Sequence, residues 1–369
     1  MTDSRKLKIA VVGLGFGAAF APIYQLHPDV AAVGICDPDA ARLAAVGDAL
    51  GIPQQDRFMA LADVLARADF DAVHLLTPVP LHTEQTLAVL SAGKHCACAV
   101  PMATELVDIG QIIEARKRSG KTYMMMETAV YTREFFFARD LLERGELGAL
   151  TFLRGTYFQD LEGSYPRYWS AQPPMHYATH ALAPLLALAK TRAEAVVCLG
   201  SGRLRDDIQQ PSGNVFPLQT ALFRLAGTAI AAEVTRSWFQ TARAYTEAFS
   251  VYGDQRGFEW QQLEHEEPVV FTLEPGSPQQ CGRHVTSVRV TPPDRTDLLP
   301  ESIARFTQHG HSGSHPHLAH EFVRSIVENR PSAIDAITAA DWTAAGICAN
   351  ESALREGERV VIPDYSSLI

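Results

Sequence analysis

The chain has 369 residues, 47% of them apolar and 20% charged, a globular mix long enough for two cores. A formal charge of -10 argues against nucleic acid as a partner, although a local pocket can still hold a small anion. No apolar run reaches the roughly 18 residues of a membrane span, and the polar residues 1–6 lack the apolar core of an export signal, so a cytoplasmic protein away from membranes is expected. Six cysteines, Cys36, Cys96, Cys98, Cys198, Cys281 and Cys348, are scattered and read as buried thiols of a reducing compartment.

Residues 1–128 alternate short apolar runs with amphipathic stretches. The runs at 7–12, 30–36, 71–76, 94–98 and 122–127 read as fully buried parallel strands. Stretches such as 39–50 and 81–92 carry apolar residues at helical spacing. Alternation of this kind predicts a doubly wound parallel sheet, an N-terminal Rossmann domain.

The first strand runs into Gly13-Leu14-Gly15-Phe16-Gly17-Ala18. Gly13 permits the tight turn, Gly15 admits a pyrophosphate against the backbone, and Ala18 is the small third residue of the pattern. Asp37 ends the next strand, where a carboxylate accepts from both ribose hydroxyls of NAD and repels a 2′-phosphate. The expected cofactor is NAD, contacted by Gly13, Gly15, Phe16, Gly17, Asp37, Arg42 and Glu127. Thr77 and His82 follow the next long strand at its carboxyl end and are weaker contacts.

Beyond Tyr131 the pattern changes. A helix over 134–144 and a long strand over 150–159 precede an aromatic, proline-rich stretch over 162–174. A helix starts near Tyr177, strands follow at about 215–225, 229–239, 246–252 and 258–262, and residues 275–308 read as irregular. Helices at 318–328 and 334–356 close the chain. This predicts a second, α+β domain over 129–369 with a large, mostly antiparallel open sheet, through which homo-oligomers form, its last helices returning to the first domain.

His176 and His180 lie four apart, on one face if they open a helix. Without a glutamate-bearing zinc motif around them, no metal is expected, which leaves a satisfied core histidine or an imidazole acting as acid and base beside the nicotinamide. Tyr165-Pro166-Arg167-Tyr168-Trp169 reads either as a sugar-stacking rim in which Arg167 meets an anionic group or as ordinary loop packing. Five histidines crowd residues 308–321, read as a Gly/Ser-rich loop whose His311 reaches substrate.

With Thr77-Pro78 and His82, Gly93-Lys94-His95, His180 and Glu351-Ser352 in this order, the chain resembles the Gfo/Idh/MocA oxidoreductase family. Members typically carry Glu-Lys-Pro after the fifth strand, the lysine touching the hydroxyl that is oxidised. Here Ala99-Val100-Pro101 stands there, and His176 stands where the family has an aspartate four residues before its histidine. Glu127-Thr128-Ala129-Val130-Tyr131, Tyr157-Phe158-Gln159-Asp160-Leu161 and Tyr177-Ala178-Thr179-His180-Ala181-Leu182-Ala183-Pro184 are similar to motifs of the family's NAD-dependent glycosidases, the N-acetylgalactosaminidase-like and sulfoquinovosidase-like branches. That resemblance implies oxidation of a sugar at C3, loss of the C2 proton, elimination of the C1 substituent, addition of water and re-reduction. It implies His180 as base for the hydroxyl, Tyr157 or Tyr131 as base for C2, and His176, Tyr177, Arg167, Trp169 and His311 around a sugar glycoside. A conventional NAD-dependent sugar or inositol dehydrogenase and a non-catalytic NAD-binding regulator are the alternatives.

Overall fold

The computed structural model describes residues 5–163, 165–209, 213–260, 263, 266–276 and 281–368. They fall into two units: residues 1–132, 294–340 and 365–369 in one, residues 133–293 and 341–364 in the other. The N-terminal unit therefore takes up a late segment, residues 294–340, that is remote from it in sequence.

Among the described residues the first unit has one six-stranded sheet: β1 (Leu7–Val12), β2 (Val30–Cys36), β3 (Arg57–Phe58), β4 (Ala72–Leu75), β5 (His95–Cys98) and β6 (Tyr123–Met125). The order is β3-β2-β1-β4-β5-β6 and every pairing is parallel. Covered on both faces, these strands are near-continuous apolar runs, and β4 is buried at all four positions. Strand order reverses between β1 and β4, the crevice where such sheets take ligands. The edge strand β3 is too short for its two residues to show any period. Residues 308–320 are not the loop expected from their glycines and serines. They enter a helix, Gly310–Val327, whose first turn is kinked by left-handed backbone at His311, Ser312 and Gly313.

The second unit is built on β7 (Leu150–Phe158), β8 (Ala193–Ser201), β9 (Leu218–Leu225), β10 (Ala231–Ser237), β11 (Thr246–Gly253), β12 (Arg256–Glu259), β13 (Val269–Leu273), β14 (Val285–Arg289) and β15 (Val360–Val361). Their order is β14-β13-β12-β11-β7-β10-β9-β8-β15. The β7–β10 pair is parallel and the other described pairs are antiparallel. The strand expected over 258–262 is instead β12, two residues earlier, and positions 261 and 262 lie outside the described residues. Strand β14 lies in the segment read as irregular. It is an exposed edge, so no buried face marks it in the sequence.

The helix Thr179–Ala189 packs on β7, β10 and β11. A Cβ on Gly155 of β7 would lie 2.0 Å from the Ala181 carbonyl oxygen, so only glycine lets this helix approach so closely. The opposite face of the sheet exposes Val197, Leu199, Leu222 and Val361, with Val197 directly across from Leu222.

Candidate functional site

Each of the three loop glycines in the first unit has a distinct reason. Gly13 has φ 89°, and a Cβ there would lie 2.5 Å from the Leu76 carbonyl oxygen. A Cβ on Gly17 would meet Val11 and Leu76 side chains at 2.9 and 3.0 Å, so Gly17, rather than Ala18, closes the packing onto the sheet. Around Gly15 a Cβ would meet nothing within 4 Å, leaving an open cradle beside bare backbone. That cradle fits a pyrophosphate. The segment after it is broken into two short helices, Leu14–Gly17 and Ala21–Leu26, rather than one continuous helix.

Asp37 is 2% exposed, and its carboxylate organises this loop. Oδ2 accepts the Leu14 N–H at 2.8 Å, Oδ1 accepts the Asp39 N–H at 2.8 Å, and Arg42 Nη1 donates to both oxygens at 3.2 Å. Arg42 is about half exposed, whereas the carboxylate it covers is buried. Phe16, 43% exposed, packs edge-on against His311 and His315 with centroids 5.7 and 5.3 Å away. His315 stacks on Phe20 at 4.5 Å, and Phe20 meets His74, which bonds the Tyr24 hydroxyl at 3.1 Å. His311 thus lies against the dinucleotide loop.

The structure gives Thr77 and His82 positioning tasks. His82 is buried, with Nδ1 2.7 Å from the Pro101 carbonyl and Nε2 2.9 Å from that of Thr77. Burial opposes a charge on the ring, but Cys98 and the two carbonyl acceptors outweigh it and push the pKa up to about 9. As an imidazolium it clamps two loops and offers no nitrogen to a ligand. Thr77 Oγ1 donates to Gln85. Glu127 is buried at the end of β6, where its Oε1 accepts the Ala129 N–H at 2.9 Å and starts the turn Thr128–Tyr131. Tyr131 ends that turn, half-buried. Val100, at the position of the family's lysine, is buried.

In the second unit the sheet register builds one row across four strands. Gln219 of β9 opposes Arg236 of β10, Arg236 opposes Tyr157 of β7, and Tyr157 opposes Glu247 of β11. His180 lies over this row. Its ring is 6% exposed and meets Tyr157 at 5.4 Å and Tyr177 at 5.3 Å, both edge to face. His180 Nδ1 is 3.9 Å from Glu247 Oε1, and the Tyr245 hydroxyl donates to Glu247 Oε2 at 2.9 Å. Arg236 is fully buried, its guanidinium carbon 3.7 Å from both the Tyr157 and Trp238 ring centroids. It donates to the Tyr157 carbonyl at 3.1 Å, to the Ser237 carbonyl and to Gln159. Burial raises the Tyr157 pKa above its ordinary value and Arg236 pulls the other way without prevailing, so Tyr157 keeps its proton.

The turn Pro174–Tyr177, which carries His176 and Tyr177, is held from behind. The Met175 N–H donates to Gln219 Oε1 at 2.9 Å, and Gln219 Nε2 donates to Asn350 Oδ1 at 2.9 Å. A Cβ on Gly346 would lie 2.2 Å from the Met175 carbonyl oxygen. Burial pushes the His176 pKa down to about 4, so this ring is neutral near pH 7 and cannot supply the charge of the aspartate it replaces. Trp169 meets Tyr177 and Trp238 at 5.2 and 5.1 Å and also lines a cavity of about 200 Å³ with Leu161, Tyr165, Phe239, Glu162 and Arg205. Arg205 is already paired with Glu162 at 2.8 Å and Asp207 at 3.1 Å. The Arg167 side chain lies outside the described residues.

Sequence reading missed Arg236, Tyr245 and Glu247. The available signal was charge inside strand-like runs, Thr235-Arg236-Ser237-Trp238 and Thr246-Glu247-Ala248-Phe249. Their convergence needs the register. Five cysteines are buried as expected, whereas Cys281 is exposed. Among the described residues no group of three or more His, Cys, Asp or Glu is arranged to hold a metal, and no helix is long and apolar enough to cross a membrane.

A glycosyl hydrolase family 109 protein of Porphyromonas gingivalis is 26% identical over 198 residues, covering 49% of this chain and 42% of the relative. One from Streptomyces coelicolor is 28% identical over 200 residues, with the same coverage. The matched region is thus less than half of either relative's length. A levoglucosan dehydrogenase solved with NADH and levoglucosan shares the fold, with a TM-score of 0.79 at 20% identity over 97% of this chain and 100% of that one. Residues 7–127 match the family model described as an oxidoreductase family with an NAD-binding Rossmann fold. That segment, where the glycine cradle and Asp37 lie, is thus similar to the Gfo/Idh/MocA oxidoreductases and has an NAD-binding Rossmann fold.

Proposed function

We propose that the protein is an NAD-dependent glycosidase that oxidises its sugar at C3, eliminates the C1 substituent, adds water and re-reduces the ketone. The carrying observation is the number of proton-handling groups gathered at His180: one imidazole, a carboxylate and the phenols Tyr157, Tyr177 and Tyr245. Hydride transfer from an alcohol needs one base. Elimination and hydration need a second base and an acid as well. The glycosyl hydrolase relatives support the same reading.

Bound NAD supplies a hydride acceptor that becomes the donor at the end of the cycle. His180 takes the hydroxyl proton, a task left to it because Val100 is apolar. Tyr157, which keeps its proton, suits donation to the leaving group. The C2 proton then falls to Tyr131, placed just beyond β6 at the carboxyl edge of the parallel sheet. The Trp169 cavity takes a neutral hydroxylated ring, since its arginine is already balanced by two carboxylates. The apolar outer face at Val197, Leu199, Leu222 and Val361 supports a homo-oligomer, which light scattering tests.

The deciding experiment incubates the protein and catalytic NAD⁺ with nitrophenyl glycosides, neutral and sulfonated, in D₂O. Product should carry deuterium at C2 with no build-up of NADH. NADH appearing in step with a keto-sugar, without glycoside cleavage, would replace this reading with a conventional carbohydrate dehydrogenase.

A further inference from the structure

We infer that Glu247 is the positioning carboxylate of His180: it orients the imidazole and supports the positive charge the ring acquires when it takes the substrate proton. This rests on the reading of His180 as the hydroxyl base.

Strand register sets the pair up, because Glu247 lies directly across from Tyr157 on the row beneath the His180 helix. Both side chains are 6% exposed, so their charges interact in a medium that screens them weakly. The Nδ1–Oε1 separation of 3.9 Å is an ion-pair distance, which leaves Nε2 as the nitrogen for the substrate proton. Glu247 is itself fixed, since Tyr245 donates to its other oxygen at 2.9 Å. The family's aspartate is replaced by His176, which burial keeps neutral. The anion absent from the turn at His176 is thus provided by a strand just over seventy residues later.

The remaining groups around His180 are Tyr157 and Tyr177 against its ring, Tyr245 behind Glu247, and the Arg236 cation across Tyr157. Arg236 and Glu247 attract one another within the buried cluster. In the oxidation step the substrate O–H bond breaks and a bond from Nε2 to that proton forms. Bound NAD would accept the hydride that leaves carbon, while Glu247 gains and loses no proton in the proposed step. Re-reduction reverses each transfer.

The test follows the His180 ring by long-range ¹H–¹⁵N NMR across pH in the full chain, its signal assigned by absence in H180A. In Glu247→Gln the midpoint should fall by about 1–3 pH units, and the acid limb of kcat/KM should move down with it. In Tyr245→Phe the carboxylate loses a donor that disperses its charge, so the midpoint should rise. Opposite signs separate an electrostatic pair from general loosening, which would move both variants alike. Should Glu247→Gln fail to fold, Glu247→Asp takes its place with a smaller shift of the midpoint. An unchanged His180 titration in a folded Glu247 variant overturns the inference. A shifted titration with an unmoved kinetic limb upholds the pair and overturns His180 as the base.

Discussion

Asp37 serves two masters: it ties the backbone of the glycine loop through Leu14 and holds Arg42 against itself. Replacing it with alanine should weaken NAD binding by about 1–3 kcal/mol, the usual loss for hydrogen bonds to a charged group. The same change frees Arg42, so affinity for NADP should rise as that for NAD falls. Calorimetric titration with both dinucleotides checks this, and equal losses for the two would remove Arg42 from the picture. His180→Ala should lower turnover by about 10²–10⁴-fold while circular dichroism and NAD affinity stay native. At this scale legibility depended on locality. Gly13, Gly15, Gly17 and Asp37 could be read because a strand–turn–helix packs its chemistry into neighbouring positions. Arg236 and Glu247 could not, because they become neighbours of Tyr157 only through hydrogen-bond register between β10, β7 and β11.

Among elements, the His180 helix is seated by an absence of side chain. Alanine at Gly155 puts a carbon 2.0 Å from the Ala181 carbonyl, and backbone on both sides cannot yield by changing rotamer. Gly155→Ala should therefore cost about 1–3 kcal/mol, seen as a lower thermal midpoint, and should cut kcat with NAD affinity unchanged. Gly346→Ala should act alike from the other direction, by pushing on Met175 and the turn that carries His176 and Tyr177. Buried parallel strands such as β1 and β2 could be read to the residue because both their faces must be apolar. The exposed edge strand β14 and the two-residue β3 have no such signature. The start of the helix Gly310–Val327 is hidden by three left-handed residues and Pro316.

Across the whole molecule, burial keeps several imidazoles neutral: His27 and His317 are lowered to about 4, His74 and His315 to about 3. Unfolded, each titrates near ~6.5. Below that pH the unfolded chain binds protons that the folded chain refuses. The stability these groups contribute is therefore complete above about 6.5 and is lost progressively as the pH falls toward 4. Calorimetric scans over that window should show the thermal midpoint dropping. His315→Phe, which keeps the stack on Phe20, should flatten the slope. A slope identical to that of the unaltered chain would mean that His315 is already protonated in the folded state.

All four of these histidines belong to the N-terminal unit, yet two of them arrive with the late segment 294–340. That ordering has a consequence for biosynthesis. When the ribosome has finished residue 132, the nascent sheet has its strands but not the helix whose His315 covers Phe20. At 5–20 residues per second, the missing piece follows only after roughly 10–40 s. Through that interval Phe16 and Phe20 stand uncovered, an apolar surface on a chain still being made, and the natural ligand of a holdase chaperone.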